Sequence, residues 1–316
     1  MNQLDQLKRF TTVVAHSADL AQIAAFAPRD ATANPSLILQ AARRPEYAPL
    51  LEQVIAAHDK RPLDRTIDEL LVRVGVEMLR VVPGRVSTEV DPRLSFDTGA
   101  TIARAQRIVE LYEKAGFGAD RVLVKLAATW EGIQAAKALE HQDIRCNLTL
   151  VFCLSQAVAC GDAGVTLISP FVGRVRDWHR RAAGAGWDDT TRSGTDDPGV
   201  RMVTTIYNYF KKFGLRTEVM GASLRNTAQV LALAGCDLLT VSPALLGALQ
   251  SSEEPVVRRL DPQSAQGAAV HALTLNEASF RYALNADAMA TESLAAGIRA
   301  FAADVIELEK LVQGAP

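Results

Sequence analysis

Short apolar runs alternate with longer stretches whose apolar residues recur at helical spacing, from one end of the chain to the other. This alternation is typical of a parallel sheet covered by helices. The pattern therefore predicts an α/β protein. The runs that we predict to be strands are residues 11–15, 30–32, 86–89, 122–125, 147–150, 166–168, 218–221 and 238–241.

Eight strand-and-helix units in a chain of 316 residues fit one closed (β/α)8 TIM barrel. An open doubly wound sheet is the alternative fold of the same class. No G-x-G-x-x-G motif follows the first predicted strand, which argues against a sheet that binds dinucleotides. We therefore predict a single barrel domain that spans residues 1–316.

Three segments are longer than a minimal barrel unit requires. Residues 35–80, after the second strand, carry apolar positions at helical spacing and are predicted to form at least two extra helices. Residues 174–199 are polar and rich in Gly, Asp, Thr and Arg, so we expect a long exposed excursion. Residues 277–312 are strongly helical, and we expect this long C-terminal helix to pack across the barrel or against another subunit.

Hydrophobic residues make up 48% of the chain, which is enough to build a large core. The net charge of -2 gives no reason to expect nucleic acid or an anionic membrane as a partner. No apolar run reaches the ~18 residues of a transmembrane helix, and the N-terminus lacks the apolar stretch of a secretion signal. We therefore expect a cytoplasmic protein.

The four cysteines form no C-x-x-C pair, and the five histidines have no H-E-x-x-H spacing. Cys146 and Cys236 lie in or beside apolar strands, where a reduced cysteine behaves as a small hydrophobic residue. The sequence therefore predicts no disulfide and no metal site.

A lysine, Lys125, ends an apolar run in the fourth predicted strand. A lysine at such a position is either ion-paired or has a pKa lowered towards neutrality, because desolvation disfavours the charged amine. A neutral amine is a nucleophile that attacks carbonyl carbons to give a Schiff base. The structural alternative is a lysine that reaches solvent from the strand end or pairs with a carboxylate.

Polar or titratable side chains follow nearly every predicted strand. In a barrel the carboxyl ends of the strands face one common site, so we expect these side chains to meet there. Burial of so many polar groups is unfavourable unless a ligand or neighbouring groups bind them, which favours a polyhydroxylated ligand. The residues are His16, Thr32, Asn34, Ser87, Glu89, Lys125, Asn147, Thr149, Ser169, Phe171, Ser223, Arg225 and Ser242.

Three of these side chains allow two interpretations each. Glu89 is either only the counter-ion of Lys125 or, together with Thr149, holds a water that carries the protons of imine formation. Thr149 taken alone is also an ordinary β-branched strand residue. Asn34 precedes a proline, so it either caps the next helix or points its carboxamide into the site.

Two arginines, Arg174 and Arg225, follow the sixth and seventh strands, near the region where barrels commonly bind phosphate. The planar fork of arginine suits phosphate oxygens, and Ser223 adds a hydroxyl. A solvated salt bridge is the alternative for either arginine alone, but two after neighbouring strands favour phosphate binding. We interpret the wider basic cluster as a solvated helix face; its members are Arg174, Arg176, Arg180 and Arg181.

Seven motifs carry the predicted strand ends. They are Thr-Thr-Val-Val-Ala from Thr11, Asp-Ala-Thr-Ala-Asn-Pro-Ser-Leu-Ile-Leu from Asp30, Pro-Gly-Arg-Val-Ser-Thr-Glu-Val-Asp from Pro83, Val-Lys-Leu-Ala-Ala-Thr-Trp-Glu-Gly from Val124, Cys-Asn-Leu-Thr-Leu from Cys146, Ile-Ser-Pro-Phe-Val-Gly-Arg from Ile168 and Met-Gly-Ala-Ser-Leu-Arg-Asn from Met220. In this order they resemble transaldolase, the Schiff-base-forming family of the pentose phosphate pathway, over essentially the whole chain. The long helical segments resemble the large, usually dimeric branch and not the shorter fructose-6-phosphate aldolase branch.

The resemblance implies a cofactor-free transferase that moves a dihydroxyacetone unit from sedoheptulose 7-phosphate to glyceraldehyde 3-phosphate, giving erythrose 4-phosphate and fructose 6-phosphate. It also implies a homodimer. Lys125 would form the Schiff base, and Glu89 and Thr149 would manage its water. The substrate-binding positions would be Asn34, Asn147 and Ser169 at the hydroxyls, Arg174, Ser223 and Arg225 at the phosphate, Phe171 as an apolar wall, and Thr32 and Ser87 beside them.

The sequence departs from the family pattern at His16, where the family usually carries an aspartate that takes the hydroxyl proton during cleavage. Histidine, with a reference pKa of ~6.5, is a competent general base near neutral pH. We therefore expect His16 to act as the cleavage base.

Two alternatives remain open at this point. A barrel that has lost its aspartate could bind sugar phosphates without turnover. A plain aldolase would hydrolyse the enamine instead of passing it to an acceptor, although Phe171, where a more polar residue could position water, favours transfer.

Overall fold

The computed structural model describes residues 1–58 and 62–314. Eight parallel strands close into a barrel: each strand pairs with the next along the chain, and β8 pairs with β1. The predicted (β/α)8 barrel is confirmed, and the open doubly wound sheet is excluded. The strands are β1 Thr12–His16, β2 Asp30–Thr32, β3 Val86–Glu89, β4 Val122–Ala127, β5 Cys146–Val151, β6 Leu167–Pro170, β7 Glu218–Gly221 and β8 Leu238–Val241.

Helices surround this barrel. In the described part of the chain they are α1 Gln3–Leu7, α2 Leu20–Phe26, α3 Pro35–Ala42, α4 Ala48–His58, α5 Leu63–Val81, α6 Thr98–Lys114, α7 Trp130–Glu140, α8 Leu154–Asp162, α9 Val172–Ala183, α10 Pro198–Lys212, α11 Thr227–Ala232, α12 Pro243–Gln250, α13 Pro262–Ala265, α14 Glu277–Ala286 and α15 Ala288–Val312. No helix among the described residues is long and apolar enough to cross a membrane.

The extra helices predicted after the second strand are confirmed, since α3, α4 and α5 all lie between β2 and β3. Residues 59–61 of that segment lie outside the described residues. The prediction of an exposed excursion beginning at residue 174 is wrong in part. Its first residues belong to α9, because Val172 and Val175 give that stretch a buried apolar side on which a helix packs.

The C-terminal helix α15 packs across the carboxyl end of the barrel, as predicted. Near its start, the Trp178 indole of α9 donates to Glu292 at 2.7 Å. Near its other end, Arg93, which lies in a 3₁₀ turn after β3, contacts Glu309 at 2.5 Å. The helix therefore spans the mouth of the barrel from the β6 side to the β3 side.

The interior of the barrel below this mouth is filled by apolar side chains, which form one buried cluster. Each comes from the inward face of a strand, as the alternation of side chains along strands requires. This plug closes the barrel from below, so polar groups at the carboxyl ends face a closed pocket. Its members are Val14, Leu123, Leu167, Met220 and Leu238.

Candidate active site

Lys125 and Glu89 form a buried ion pair at the centre of the barrel mouth. They are register partners on β4 and β3, and Lys125 Nζ lies 3.0 Å from Glu89 Oε2. The two side chains are only 6% and 4% exposed, so little solvent screens the pair. β4 is longer than predicted and continues to Ala127, which places Lys125 inside the strand rather than at its last residue. The ion-paired interpretation of Lys125 is therefore confirmed.

The electrostatics of Glu89 favour proton exchange with the lysine. Burial raises the pKa of the Glu89 carboxyl, and the adjacent Lys125 charge opposes that rise. A carboxyl whose pKa moves towards neutral pH can accept a proton and return it within one catalytic cycle. Glu89 can therefore accept and return a proton beside the Lys125 side chain.

Thr149 presents an unpartnered hydroxyl at an irregular point of β5. The register of β5 against β6 shifts between Leu148 and Val151, and Leu150 has a φ of 57°. Left-handed backbone at a branched, fully buried residue costs about 1–3 kcal/mol and persists only where the surroundings impose it. The bulge therefore sets the direction of Thr149, whose Oγ1 is buried and has no hydrogen-bond partner among the described residues.

Asn147 and Ser169 are held in one hydrogen-bonded row. The Asn147 amide donates to Ser87 Oγ at 3.1 Å, and Ser169 Oγ donates to Asn147 Oδ1 at 2.6 Å. Ser87 and Asn147 lie behind the cavity wall, whereas Ser169 lines the cavity. The row fixes the orientation of Ser169 and leaves its hydroxyl oxygen available to accept from a ligand.

Asn34 has both of the roles that the sequence left open. As the N-cap of α3 its Oδ1 accepts from the Leu37 N–H at 2.9 Å, and this contact fixes which end of the amide faces the site. Its Nδ2 then faces His16 Nε2 at 3.5 Å. An amide nitrogen only donates, so Nε2 is the ring nitrogen that carries the lone pair.

His16 is neutral over the physiological pH range. Burial, as the largest cause, and the positive charges of Lys125, Arg174 and Arg225 together lower its pKa from 6.5 to about 4. Its side chain ends β1 and faces the same cavity as the lysine. A neutral imidazole whose Nε2 carries the lone pair is chemically able to take a proton there.

One cavity of about 160 Å³, which Glu89 does not line, joins most of the other groups. It contains most of the predicted site residues and also three that the sequence reasoning missed, Met220, Ala222 and Thr240. The sequence signal for Thr240 is a polar residue inside the apolar run of β8. Ser242 does not line this cavity; it borders a neighbouring surface groove. The predicted residues on the cavity wall are His16, Thr32, Asn34, Lys125, Thr149, Ser169, Phe171, Arg174, Ser223 and Arg225.

Arg174 and Arg225 differ in how they are held. Arg225 donates two hydrogen bonds to Asp177, at 2.8 and 3.0 Å, and is 44% exposed. Arg174 forms no ion pair or hydrogen bond with any described residue, and its guanidinium instead lies 5.2 Å from the Phe171 ring centroid. Burial and the nearby Arg225 lower the pKa of Arg174.

The backbone of Ser223 connects the end of β7 to the start of α9. Ser223 has a φ of 59°, and its carbonyl accepts from the Gly173 N–H at 2.9 Å, which brings the end of β7 against the start of α9.

The interpretation of the basic cluster as a solvated face holds for Arg180 and Arg181, which are exposed. It is wrong for Arg174 and for Arg176, which pairs with the buried Asp197 at 3.4 Å.

Comparison with known proteins agrees with this geometry. Residues 13–312 match the model of the transaldolase/fructose-6-phosphate aldolase family. The chain belongs to this family. It is also 65% identical over 312 residues to a protein of Methylibium petroleiphilum (strain ATCC BAA-1232 / LMG 22953 / PM1) named transaldolase, and the match covers 99% of each chain.

Proposed function

We propose that the protein is a transaldolase that transfers a dihydroxyacetone unit from sedoheptulose 7-phosphate to glyceraldehyde 3-phosphate through a Schiff base on Lys125. The observation that carries this proposal is the Lys125–Glu89 pair at 3.0 Å, beside the unpartnered hydroxyl of Thr149. Family membership and the similarity to a protein named transaldolase support the overall reaction.

In the first step the Lys125 amine attacks the ketone carbon of the donor. Proton transfer from the ammonium to Glu89 frees the lone pair, and the raised pKa of Glu89 favours this transfer. The carbinolamine then loses its hydroxyl as water, with Glu89 returning the proton. Thr149 holds the departing water between the carboxyl group and the new imine.

In the second step a carbon–carbon bond of the donor breaks. This bond joins the carbon next to the imine carbon to the following carbon of the chain, which bears a hydroxyl. His16 Nε2 takes the proton of the hydroxyl on the far side of that bond, and the hydroxyl carbon becomes the aldehyde of the first product. The bonding electron pair moves to the iminium nitrogen, so a three-carbon enamine remains on Lys125. The acceptor aldehyde reverses these events, with the imidazolium returning its proton.

The remaining groups bind the substrate. Thr32, Asn34 and Ser169 line the same cavity as Lys125 and bind the donor hydroxyls, with Asn147 and Ser87 supporting Ser169. Arg174, Arg225 and Ser223 also line this cavity and bind the phosphate, for which arginine supplies charge-assisted donors.

The apolar wall beside the enamine favours transfer of the enamine to an acceptor over its hydrolysis. Phe171 is 7% exposed and packs edge-on against Phe152 at 5.6 Å between ring centroids. An apolar ring at this position supplies no group that could orient a water against the enamine. The enamine therefore persists until an acceptor aldehyde arrives.

We extend the proposal to the setting of the reaction. The chain acts as one catalytic domain, without a cofactor, as a cytoplasmic homodimer, in line with the resemblance to the large branch of the family. Sedimentation equilibrium of the purified protein tests the dimer, which a monomeric mass at micromolar concentration would contradict.

Acceptor dependence tests the transferase activity itself. The protein is incubated with fructose 6-phosphate, with and without erythrose 4-phosphate, and released glyceraldehyde 3-phosphate is measured. We expect continued release only when the acceptor is present, and at most one equivalent per active site without it. Continued release without an acceptor would identify an aldolase instead.

A further inference from the structure

The ring of Phe301 on α15 lies near two of the cations that the proposed reaction uses, Arg174 and Lys125. It is 1% exposed, and its centroid lies 5.3 Å from the Arg174 guanidinium and 5.9 Å from Lys125 Nζ. Phe301 is far from every strand in the sequence and does not line the cavity itself. Contact with the substrate therefore does not explain the position of Phe301.

Among the described residues, Arg174 is held by aromatic rings and by no carboxylate. Three carboxylates of that part of the chain face it, and each is bound by another partner: Glu89 by Lys125 at 3.0 Å, Asp177 by Arg225 at 2.8 Å, and Asp304 by the Ser36 hydroxyl. Phe171 and Phe301 instead lie 5.2 and 5.3 Å from its guanidinium. Ring faces attract the cation without occupying its N–H donors, so those donors stay open for an anion.

The helix that carries Phe301 is seated closely enough to fix the ring. Gly297 lies one turn before Phe301, and a Cβ built there would lie 2.6 Å from Leu150 Cδ2 and 3.1 Å from Arg174 Nη1. Glycine is unfavourable inside a helix, so its presence in α15 is explained by this close approach. The helix is also held by Arg93, which contacts Glu309 at 2.5 Å.

We infer that Phe301 is a positioning residue, which together with Phe171 holds the Arg174 guanidinium open towards the phosphate of the substrates. The inference rests on the proposed function, because it assumes that Arg174 binds that phosphate. Without the Phe301 ring, Arg174 is free to turn towards Asp304 or Asp177. The change therefore weakens recognition of the phosphate more than it weakens the chemistry at Lys125.

The test compares a phosphorylated acceptor with the same acceptor lacking its phosphate. For Phe301→Leu we expect the KM for glyceraldehyde 3-phosphate to rise about tenfold, in line with the loss of one desolvated cation–π contact. We expect kcat/KM for unphosphorylated glyceraldehyde to change less than twofold. Phe301→Tyr keeps a ring face and is expected to retain most of the preference for the phosphorylated acceptor.

Phe280→Leu is the matched control. It removes an equally buried ring, 1% exposed, that packs on Trp130 at 5.4 Å between centroids, outside the cavity. We expect it to lower the melting temperature about as much as Phe301→Leu does, with no change in the preference for the phosphorylated acceptor. An equal change of preference in both leucine variants would overturn the inference.

Arg174→Gln separates failure of the inference from failure of the proposed function. If Arg174→Gln raises the KM for glyceraldehyde 3-phosphate and Phe301→Leu does not, the inference is wrong and the phosphate role of Arg174 stands. If Arg174→Gln leaves that KM unchanged, the phosphate role fails and the inference fails with it. Competition by inorganic phosphate, measured on the same proteins, gives a second readout that does not depend on the acceptor aldehyde.

Discussion

Glu89 and Lys125 are register partners on neighbouring strands and form an ion pair of 3.0 Å that solvent barely reaches. Such a pair gains little net stability when intact, because desolvation offsets the attraction, but loss of one partner leaves an uncompensated buried charge. The pair is therefore better explained by chemistry than by stability. This difference between removing one member and removing both is measurable.

Glu89→Leu is expected to lower the free energy of unfolding by about 3–5 kcal/mol, because it leaves Lys125 buried without a counter-ion. The double variant Glu89→Leu with Lys125→Met removes both charges and is expected to recover most of that loss. Urea unfolding of the wild type, both single variants and the double variant gives the complete cycle. A loss in the double variant that equals the sum of the losses in the two single variants would show that the pair is not coupled.

Thr149→Val is expected to separate stability from activity. The buried Thr149 hydroxyl has no partner among the described residues, so its replacement by a methyl group should leave the free energy of unfolding unchanged or raise it by about 1 kcal/mol. The rate of Schiff-base formation is expected to fall about a hundredfold, the lower range for loss of an acid–base group. Rapid-mixing borohydride trapping measures that rate.

Thr88→Val is the control for that substitution. The Thr88 hydroxyl is hydrogen-bonded to the Tyr112 hydroxyl at 2.6 Å, on the side of β3 away from the cavity. We expect this variant to lose about 1 kcal/mol of stability and to keep its activity. The opposite ordering of the two variants, with Thr149→Val the less stable, would mean that the Thr149 hydroxyl has a structural partner.

His16→Gln is expected to slow cleavage by about 10²–10⁴-fold while the Schiff base still forms, because the lysine and its carboxylate remain. The wild type should lose activity at low pH as its imidazole, with a pKa of about 4, becomes protonated. The acidic limb therefore lies well below the ~6.5 of a free imidazole. Undiminished turnover in His16→Gln would refute the role of His16 as base.

As the pH drops from about 6.5 to 4, the wild type should lose more stability than His16→Gln does. The folded-state pKa of His16 is lowered to about 4, so in this window the unfolded chain binds a proton that the folded chain does not. The contribution is present above the unfolded pKa and is lost as the pH falls through the folded pKa. We expect it to be on the order of 2 kcal/mol, measured by urea unfolding at several pH values.

Gly297→Ala is expected to destabilise the protein by about 1–3 kcal/mol, although alanine favours helices, because its methyl group overlaps Leu150. Gly247→Ala is the matched control: it also lies inside a helix, α12, but its Cβ would meet only Phe26 at 3.9 Å. The control should gain about 0.5–1 kcal/mol. If the melting temperatures of both variants shift in the same direction, the close packing of α15 at Gly297 is contradicted.

Much of the site was predictable because parallel strands deliver their carboxyl ends to one place. Lys125, Glu89 and His16 lie on three different strands, and the strand pattern alone was enough to bring them together. The same argument failed for Phe301, which reaches the site from a helix at the far end of the chain. The spacing of hydrophobic residues within one segment does not indicate which distant segment of the chain it packs against.

Two other features depend on tertiary contacts that sequence patterns do not encode. The bulge at Leu150, with its φ of 57°, arises where β5 meets β6 and α15, and its residue type gives no sign of it. Arg174 lies in a stretch rich in glycine and charge, which resembled a loop. Its helix forms because Val172 and Val175 pack against the barrel, and that packing outweighs the local composition.

Borohydride trapping with fructose 6-phosphate shows directly whether Lys125 forms the Schiff base. After proteolysis and mass analysis, we expect a reduced three-carbon adduct on Lys125, within the tryptic peptide 122–137, and no adduct in Lys125→Met. An adduct on another lysine, or none on a protein that turns over fructose 6-phosphate, would contradict it.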